Sequence, residues 1–296
     1  MLPAQPSVAV IVASCGRPKI VESLLGRLAA QTRKPDHVFV VGATPQDFPE
    51  RPGEDLNATF HLGRKGSGLQ RNDGLGLAGD RFGAIVFFDD DFVPSRFWIE
   101  RFTAMLDRRP DVGAVTGEVL ADGIRGPGIE LAAAVKMVEG RDAARNEGDG
   151  AEDGVLPYGC NMGFRFAAIA GLRFDENLPG YAWQEDQDFG ARLAPKWRRV
   201  RARALWGVHL GAKSGKTSGV KLGYAQVANV IYLVRKGTLR PGFGLKMAAG
   251  NVAMNLWKSL RPEAFIDRRG RLRGNLIAIR DALFGKMSPP RAMLLQ

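Results

Sequence analysis

Through its first 120 residues the chain alternates short apolar, β-branched runs with segments of helical periodicity, and few folds accept that order. The runs are "SVAVIVAS" (7 to 14), "HVFVVG" (37 to 42), "ATFHLG" (58 to 63), "GAIVFF" (83 to 88) and "VGAVTGEV" (112 to 119). Helical patterns fall between them at Ile20 to Ala30, Leu69 to Leu77 and Phe97 to Leu106. Strand alternating with helix predicts an α/β protein built on a mostly parallel sheet with helices on both faces. In such sheets ligands bind beyond the carboxyl ends of the strands.

The fourth run ends in that region on Asp89, Asp90 and Asp91. Adjacent carboxylates repel by about 1 kcal/mol per pair at 4 Å in a water-like dielectric, and by more in a cleft. A fold tolerates this when a cation joins them. Mg²⁺ and Mn²⁺ take oxygen ligands and accept one or two protein carboxylates, with phosphates and water completing the shell. If strand geometry persists, Asp89 and Asp91 face one side and Asp90 the other. Capping of the helix that follows accounts for one aspartate, not three.

Beyond Ala121 the regular order dissolves into a Gly- and acid-rich excursion to Pro157 around one helical island, "IELAAAVKMV". "NMGFRF" (161 to 166) reads as a strand and "WQEDQDF" as a helix start carrying Glu185, Asp186 and Asp188, where a helix dipole alone would favour acids. "RRVRARALWGVHL" (198 to 210) reads as a strand with one wet face, ending at His209. "LGAKSGKTSG" misses the P-loop spacing by one residue, since Gly211 and Gly215 have three residues between them. Its composition still suits wrapping a diphosphate, with Lys213 and Lys216 as point charges and Gly215 and Gly219 as hinges. Cys15 and Cys160 are too few and too far apart for a disulfide framework or a metal knuckle.

In sequence order, "ASCGRP", "GLQRNDGL", "FFDDD", "NMGF" and "WQEDQDFGARL" resemble the family 2 glycosyltransferases over roughly residues 7 to 240. The resemblance implies a GT-A-type, Rossmann-like fold, a nucleoside-diphosphate sugar donor, Mn²⁺ or Mg²⁺, and inversion at the anomeric carbon. It makes Asp91 the metal-binding aspartate, Asp89 or Asp90 the residues facing ribose and metal, and Asp186 the catalytic base with Glu185 beside it. Ser14, Arg17, Arg71 and Asn72 would line the nucleoside, and His209 stands where similar enzymes offer a third metal ligand. Many relatives carry an aspartate after the second strand; here the chain reads "VVGATPQDF", so Thr44 or Asp47 would substitute. Gly159, Cys160 and Asn161 would line the donor-sugar side, and Trp183 would either stack on a sugar or fill the core. A Q-x-x-R-W signature and apolar spans of processive relatives are absent, which implies one sugar per visit.

The expected organisation is a catalytic domain over 1–219, divided into a nucleotide-sugar half (1–120) and an acceptor half (121–219), followed by a basic helical region over 220–296. Residues 191 to 296 hold 22 Lys and Arg against 3 Asp and Glu, whereas 1 to 190 hold 20 against 28. A basic tail on an acidic body points to an anionic partner, here a lipid-linked acceptor or an anionic membrane surface. Nucleic acid is not expected, since no reading motif accompanies the charge. The expected activity is transfer of a hexosyl or deoxyhexosyl group to a glycan or lipid-linked hydroxyl in exopolysaccharide or other cell-surface glycan synthesis. A metal-dependent nucleotidyltransferase or phosphotransferase on a similar sheet is the rival. With neither a secretion signal nor an 18-residue apolar stretch, the expected location is cytoplasmic, peripheral on the inner face of the plasma membrane.

Overall fold

The structure, a computed structural model, describes residues 6–50, 55–144, 150–213 and 218–296. The chain forms two compact units, one of Met1–Lys65, Leu69–Arg173 and Leu193–Gly215, the other of Gly66–Gly68, Phe174–Arg192 and Lys216–Gln296.

The first unit is the α/β body. Its strands are β1 (Val8–Ser14), β2 (His37–Gly42), β3 (Ala58–Leu62), β4 (Ala84–Asp89), β5 (Phe92–Pro94), β6 (Val112–Asp122), β7 (Ala151–Asp153), β8 (Asn161–Arg165) and β9 (Arg198–His209). The sheet order among the described residues is β3-β2-β1-β4-β8-β6-β9-β5, with β7 also on β9. Pairing is parallel from β3 to β4, as the alternation with α1 (Pro18–Ala29) and α2 (Ser67–Ala78) requires. The sheet turns mixed beyond that: β8 enters antiparallel between β4 and β6, and β5 and β7 run antiparallel to β9.

Both faces of the central strands are covered. Val8, Val10 and Val12 share a core with Val38, Val40, Val86 and Phe88. On this face lie α1, through Val21, Leu24, Leu25 and Leu28, and α3 (Trp98–Arg108), through Trp98, Ile99, Phe102 and Leu106. The i, i+3, i+4, i+7 spacing in α1 is the stripe that a sheet-covering helix needs. Each such side chain contributes about 1.5–3 kcal/mol on full burial. On the other face Gly74 of α2 lies against Ile11, close enough that a Cβ would stand 2.5 Å from Ile11 Cγ2.

The excursion after Ala121 holds more order than its composition implies. Strand β6 runs on to Asp122, α4 covers Leu131–Ala143, and β7 adds a short strand beyond it. Helix α4 is pinned by buried Asp142, which accepts from Ser95 Oγ at 2.6 Å and Trp206 Nε1 at 2.8 Å. Strand β9 has a wet face only over its first half. From Leu205 to His209 every residue is buried, because Trp206 and Val208 pack with Ala134 and Val138 of α4 while β5 closes the edge.

The second unit carries α6 (Glu185–Ala191), reached after the short α5 (Phe166–Ile169) of the first, and the helices α7 (Gly219–Lys236), α8 (Pro241–Ser259) and α9 (Arg268–Leu283). Helices α7 and α9 cross backbone to backbone: a Cβ on Gly223 would stand 2.0 Å from Arg271 O, and one on Gly274 2.1 Å from Val220 O. Buried amides lock the three long helices together. Asn255 donates to Gln226 Oε1 and Asn275 Oδ1, both at 2.9 Å, and Asn275 donates to Gly223 O at 2.6 Å. Trp183 packs with Leu178, Ala182, Val230 and Leu233. Among the described residues no helix is long and apolar enough to cross a membrane.

Candidate functional site

The end of β4 is where the first unit gathers its chemistry. The strand stops at Asp89; Asp90 and Asp91 form a turn, and β5 leaves at once to pair with β9, setting Phe92 opposite His209. On the other edge of β9 the parallel register sets Asp122, the last residue of β6, opposite His209 as well. Sheet topology thus brings residues far apart in the chain to one strand end.

The side chains form a continuous polar network. Ser14 Oγ donates to Asp90 Oδ2 at 2.7 Å. The Arg17 guanidinium sits 3.1 Å from both Asp90 Oδ1 and Asp91 Oδ2. Asp91 also accepts from the Ala212 amide at 2.7 Å and lies 3.3 Å from His209 Nε2. His209 Nδ1 lies 3.0 Å from Asp122 Oδ1, whose other oxygen accepts from Tyr158 Oη at 2.8 Å. Arg71 donates to Asp89 Oδ1 at 2.7 Å and to Gly159 O at 3.1 Å.

These contacts drive the neighbouring carboxyls of Asp90 and Asp91 in opposite directions. Burial raises Asp90 above the ordinary carboxyl range; Arg17 opposes the rise and the Asp91 charge adds to it. Burial pushes Asp91 the same way but is outweighed by His209, Arg17 and the Ala212 amide, which hold it at about 2. For His209 burial favours the neutral ring, yet Asp122 and Asp91 win and push it up to about 10. Ionised carboxylates only accept, so a ring facing one from each nitrogen donates from both. An imidazolium therefore completes the cluster.

The same set fits a divalent ion. One ligand atom each from Asp89, Asp91 and His209 lies within 4.8 Å of the others. An octahedral ion about 2.1 Å from its ligands spaces them by about 3.0 to 4.2 Å, close to that spread. Two carboxylate oxygens and an imidazole suit Mn²⁺ or Mg²⁺ better than a soft metal. As a ligand, His209 gives up the Nε2 proton and keeps Nδ1–H on Asp122, the arrangement by which an outer carboxylate orients a ligand histidine. Asp90, turned to Ser14 and Arg17, lies outside the ligand set.

Of the remaining sequence-derived residues, Asn72 is buried on α2 next to Arg71. Thr44 is exposed. The Asp47 carboxylate is buried and collects the amides of Gly16, Ala43 and Thr44 at 2.6, 2.8 and 2.8 Å, so it ties the loop after β2 to the one after β1. The Lys213 ammonium donates to Gly123 O and Ile124 O, both at 3.0 Å. This fastens the segment after β9 to the end of β6. Gly211 makes the approach possible at φ +62, where a Cβ would stand 2.2 Å from the Gly123 carbonyl carbon. Lys216 and Gly215 lie outside the described residues, and Gly219 opens α7.

Helix α6 of the second unit orders its acids differently. Asp188 is buried and fully engaged, with Lys236 Nζ at 2.8 Å, Arg192 Nε at 3.0 Å and Thr238 Oγ1 at 2.8 Å. Glu185 accepts from Ser67 Oγ at 2.8 Å. Asp186 is half-buried and accepts the Gln187 amide through Oδ1 at 2.8 Å.

Asp122 and Tyr158 escape the sequence reading. The only signal for Asp122 is its place at the end of an apolar run long enough to reach the level of His209, hidden because "ADG" looks like the start of a loop. Nothing local marks Tyr158.

Residues 9–172 match the model of glycosyl transferase family 2. Among solved structures, the mannosyltransferase PcManGT from Pyrobaculum calidifontis, in complex with GDP-Man and Mn²⁺, superposes with a TM-score of 0.53 at 16% identity, covering 96% of this chain and 89% of that one. Residues 1–349 of S. aureus TarS give 0.57 at 15% identity, covering 97% and 82%, and the same protein in complex with UDP-GlcNAc gives 0.55. No curated protein sequence matches the chain. The likeness to these structures fixes the fold as GT-A, and the family match spans more than half of the sequence. The chain therefore belongs to glycosyl transferase family 2 and is a glycosyltransferase.

Proposed function

We propose that the protein moves one hexosyl or deoxyhexosyl group, with inversion, from a nucleoside-diphosphate sugar to a hydroxyl of a glycan or lipid-linked acceptor in cell-surface polysaccharide synthesis at the inner face of the plasma membrane. The observation that carries this reading is the convergence of Asp89, Asp91 and His209 at the end of β4. Support comes from the solved structures, one holding GDP-Man with Mn²⁺ and another UDP-GlcNAc.

Asp89, Asp91 and His209 would hold Mn²⁺ or Mg²⁺, which supplies positive charge to the leaving diphosphate. Ser14, Arg17, Thr44, Arg71, Asn72 and Asp90 form the nucleoside side in this reading. Arg17 and Lys213 would meet phosphate oxygens once donor binding competes for their present partners. The acceptor oxygen attacks the anomeric carbon as the carbon–oxygen bond to the diphosphate breaks, and the leaving diphosphate keeps the electron pair. Asp186 takes the hydroxyl proton, a contribution of about 10²- to 10⁴-fold, and its bond from the Gln187 amide fixes the carboxylate.

The test incubates the protein with nucleotide sugars and Mn²⁺. Release of the nucleoside diphosphate is expected; release of pyrophosphate or nucleoside monophosphate would instead establish the rival nucleotidyl- or phosphotransferase. Asp91→Asn should cost about 10²- to 10³-fold in turnover, with Mn²⁺ uptake lost by calorimetry. Retention of both by that variant would overturn the reading.

A further inference from the structure

Helices α8 and α9 leave much of their apolar surface uncovered. Of the 19 residues of α8 only Gly244 and Asn255 are buried. Leu245, Trp257 and Leu260 are 72%, 66% and 79% exposed, with Phe243 and Leu256 also exposed. On α9 and just after it, Leu276, Leu283 and Phe284 are exposed too. An uncovered apolar area on this scale marks a surface that meets something.

The charges say what it meets. Helix α8 carries Lys246 and Lys258 and no carboxylate. Along α9 a groove of about 560 Å³ is lined by Arg269, Leu272, Arg273, Leu276, Ile277 and Arg280, so guanidinium groups flank an apolar floor. The three acids between 241 and 296 are engaged within the unit. Glu263 pairs with Arg268 at 3.0 Å and Lys258 at 3.4 Å. Asp267 caps α9 through the Gly270 amide at 2.8 Å, and Asp281 binds Arg291, Arg280 and Tyr224. A two-fold contact that sets this face against itself in a second copy would bring arginines against arginines. Crossing a bilayer needs about 20 apolar residues in a row, which no described helix offers. An anionic bilayer surface satisfies both halves of the pattern: the acyl boundary takes the leucines and Trp257, and lipid phosphates take the arginines.

We propose that the α8–α9 face of the second unit docks on anionic phospholipid bilayers, with the α9 groove holding a lipid phosphate through Arg269, Arg273 and Arg280. The docking stands on this surface alone and does not depend on the sugar transferred.

The experiment is cosedimentation of the full chain with phosphatidylcholine vesicles, with and without phosphatidylglycerol. Binding should require the anionic lipid and weaken with salt. R269Q/R273Q/R280Q should lower affinity about a hundredfold, since each cation near the surface contributes about fivefold. Trp257→Ser with Leu260→Ser should weaken what remains, and bromolipid quenching should fall with Trp257→Phe. Circular dichroism and donor hydrolysis without vesicles should match the parent in every variant. Equal binding by the triple arginine variant, equal binding to neutral vesicles, or failure of the folded parent to bind would overturn the proposal. So would a dimer in free solution that shields Trp257 from quenchers. Loss of docking with donor hydrolysis intact would leave the catalytic reading standing, and the converse would leave the docking standing.

Discussion

Asp89, Asp90 and Asp91 at the end of β4 and Glu185, Asp186 and Asp188 at the start of α6 look alike as strings of letters, but the cations around them differ. In the first cluster Arg17 is shared between two carboxylates, and the histidine that completes the group is itself a ligand type. In the second, Asp188 is neutralised by Lys236 and Arg192 from within its own unit. In the proposed reading, one cluster would exchange its protein cation for a metal ion. The other has built its cations into the fold, and of its members only Asp186 is assigned to chemistry.

The sharpest way to break this contrast is Asp186→Asn. It should lower transfer by about 10²- to 10⁴-fold, with Mn²⁺ affinity and thermal midpoint as in the parent; a metal-binding defect there would merge the two clusters into one function. Asp188→Asn is expected to do the reverse. It takes the charged partner from Arg192 and leaves Lys236 with Asp175 alone, and should destabilise the second unit by about 2 kcal/mol in urea unfolding, whereas normal stability with lost transfer would exchange the roles of Asp186 and Asp188.

Asp122→Asn sharpens the first half of the comparison, because Asn still accepts from His209 Nδ1 but without charge. Mn²⁺ affinity by calorimetry should fall about tenfold, and Tyr158→Phe, one bond further out, should cost less. An unchanged affinity in Asp122→Asn would mean that strand packing alone orients the ring. The smallest effect is acid sensitivity at Asp175. Burial would raise this carboxyl, but Lys236, the Asn177 amide and Tyr232 hold it at about 2, below its value of about 3.9 in an unfolded chain. Its contribution is therefore complete above about pH 4 and is lost as pH falls toward 2. Asp175→Asn should flatten that part of the stability-against-pH curve, and an unaltered slope would remove Asp175 from the account.

Much of the body was legible because burial on both faces leaves a coarse mark, as in "VAVIVAS" or "AIVFFD", and a run of charges straight after one is hard to miss. His209 was legible for the same reason, as a lone imidazole closing a long strand. Asp122 was not, since what matters about it is its parallel register with His209 across β6 and β9, and register is a property of two strands rather than one. Asp47 shows the same limit. Its position after β2 suits contact with a base, but its buried carboxylate already serves three backbone amides. The two units interleave along the chain, with Phe174–Arg192 falling in the second; segmenting a sequence by composition does not register such a return.

The departure of β5 from β4 to the far edge of β9 has a consequence for how the protein matures. Asp91 and His209 become neighbours only after the last strand has docked, so a nascent or truncated chain holding the aspartates alone offers a poor chelate. A divalent ion would then act as a clasp that closes late and, by favouring the finished arrangement, resists its reopening.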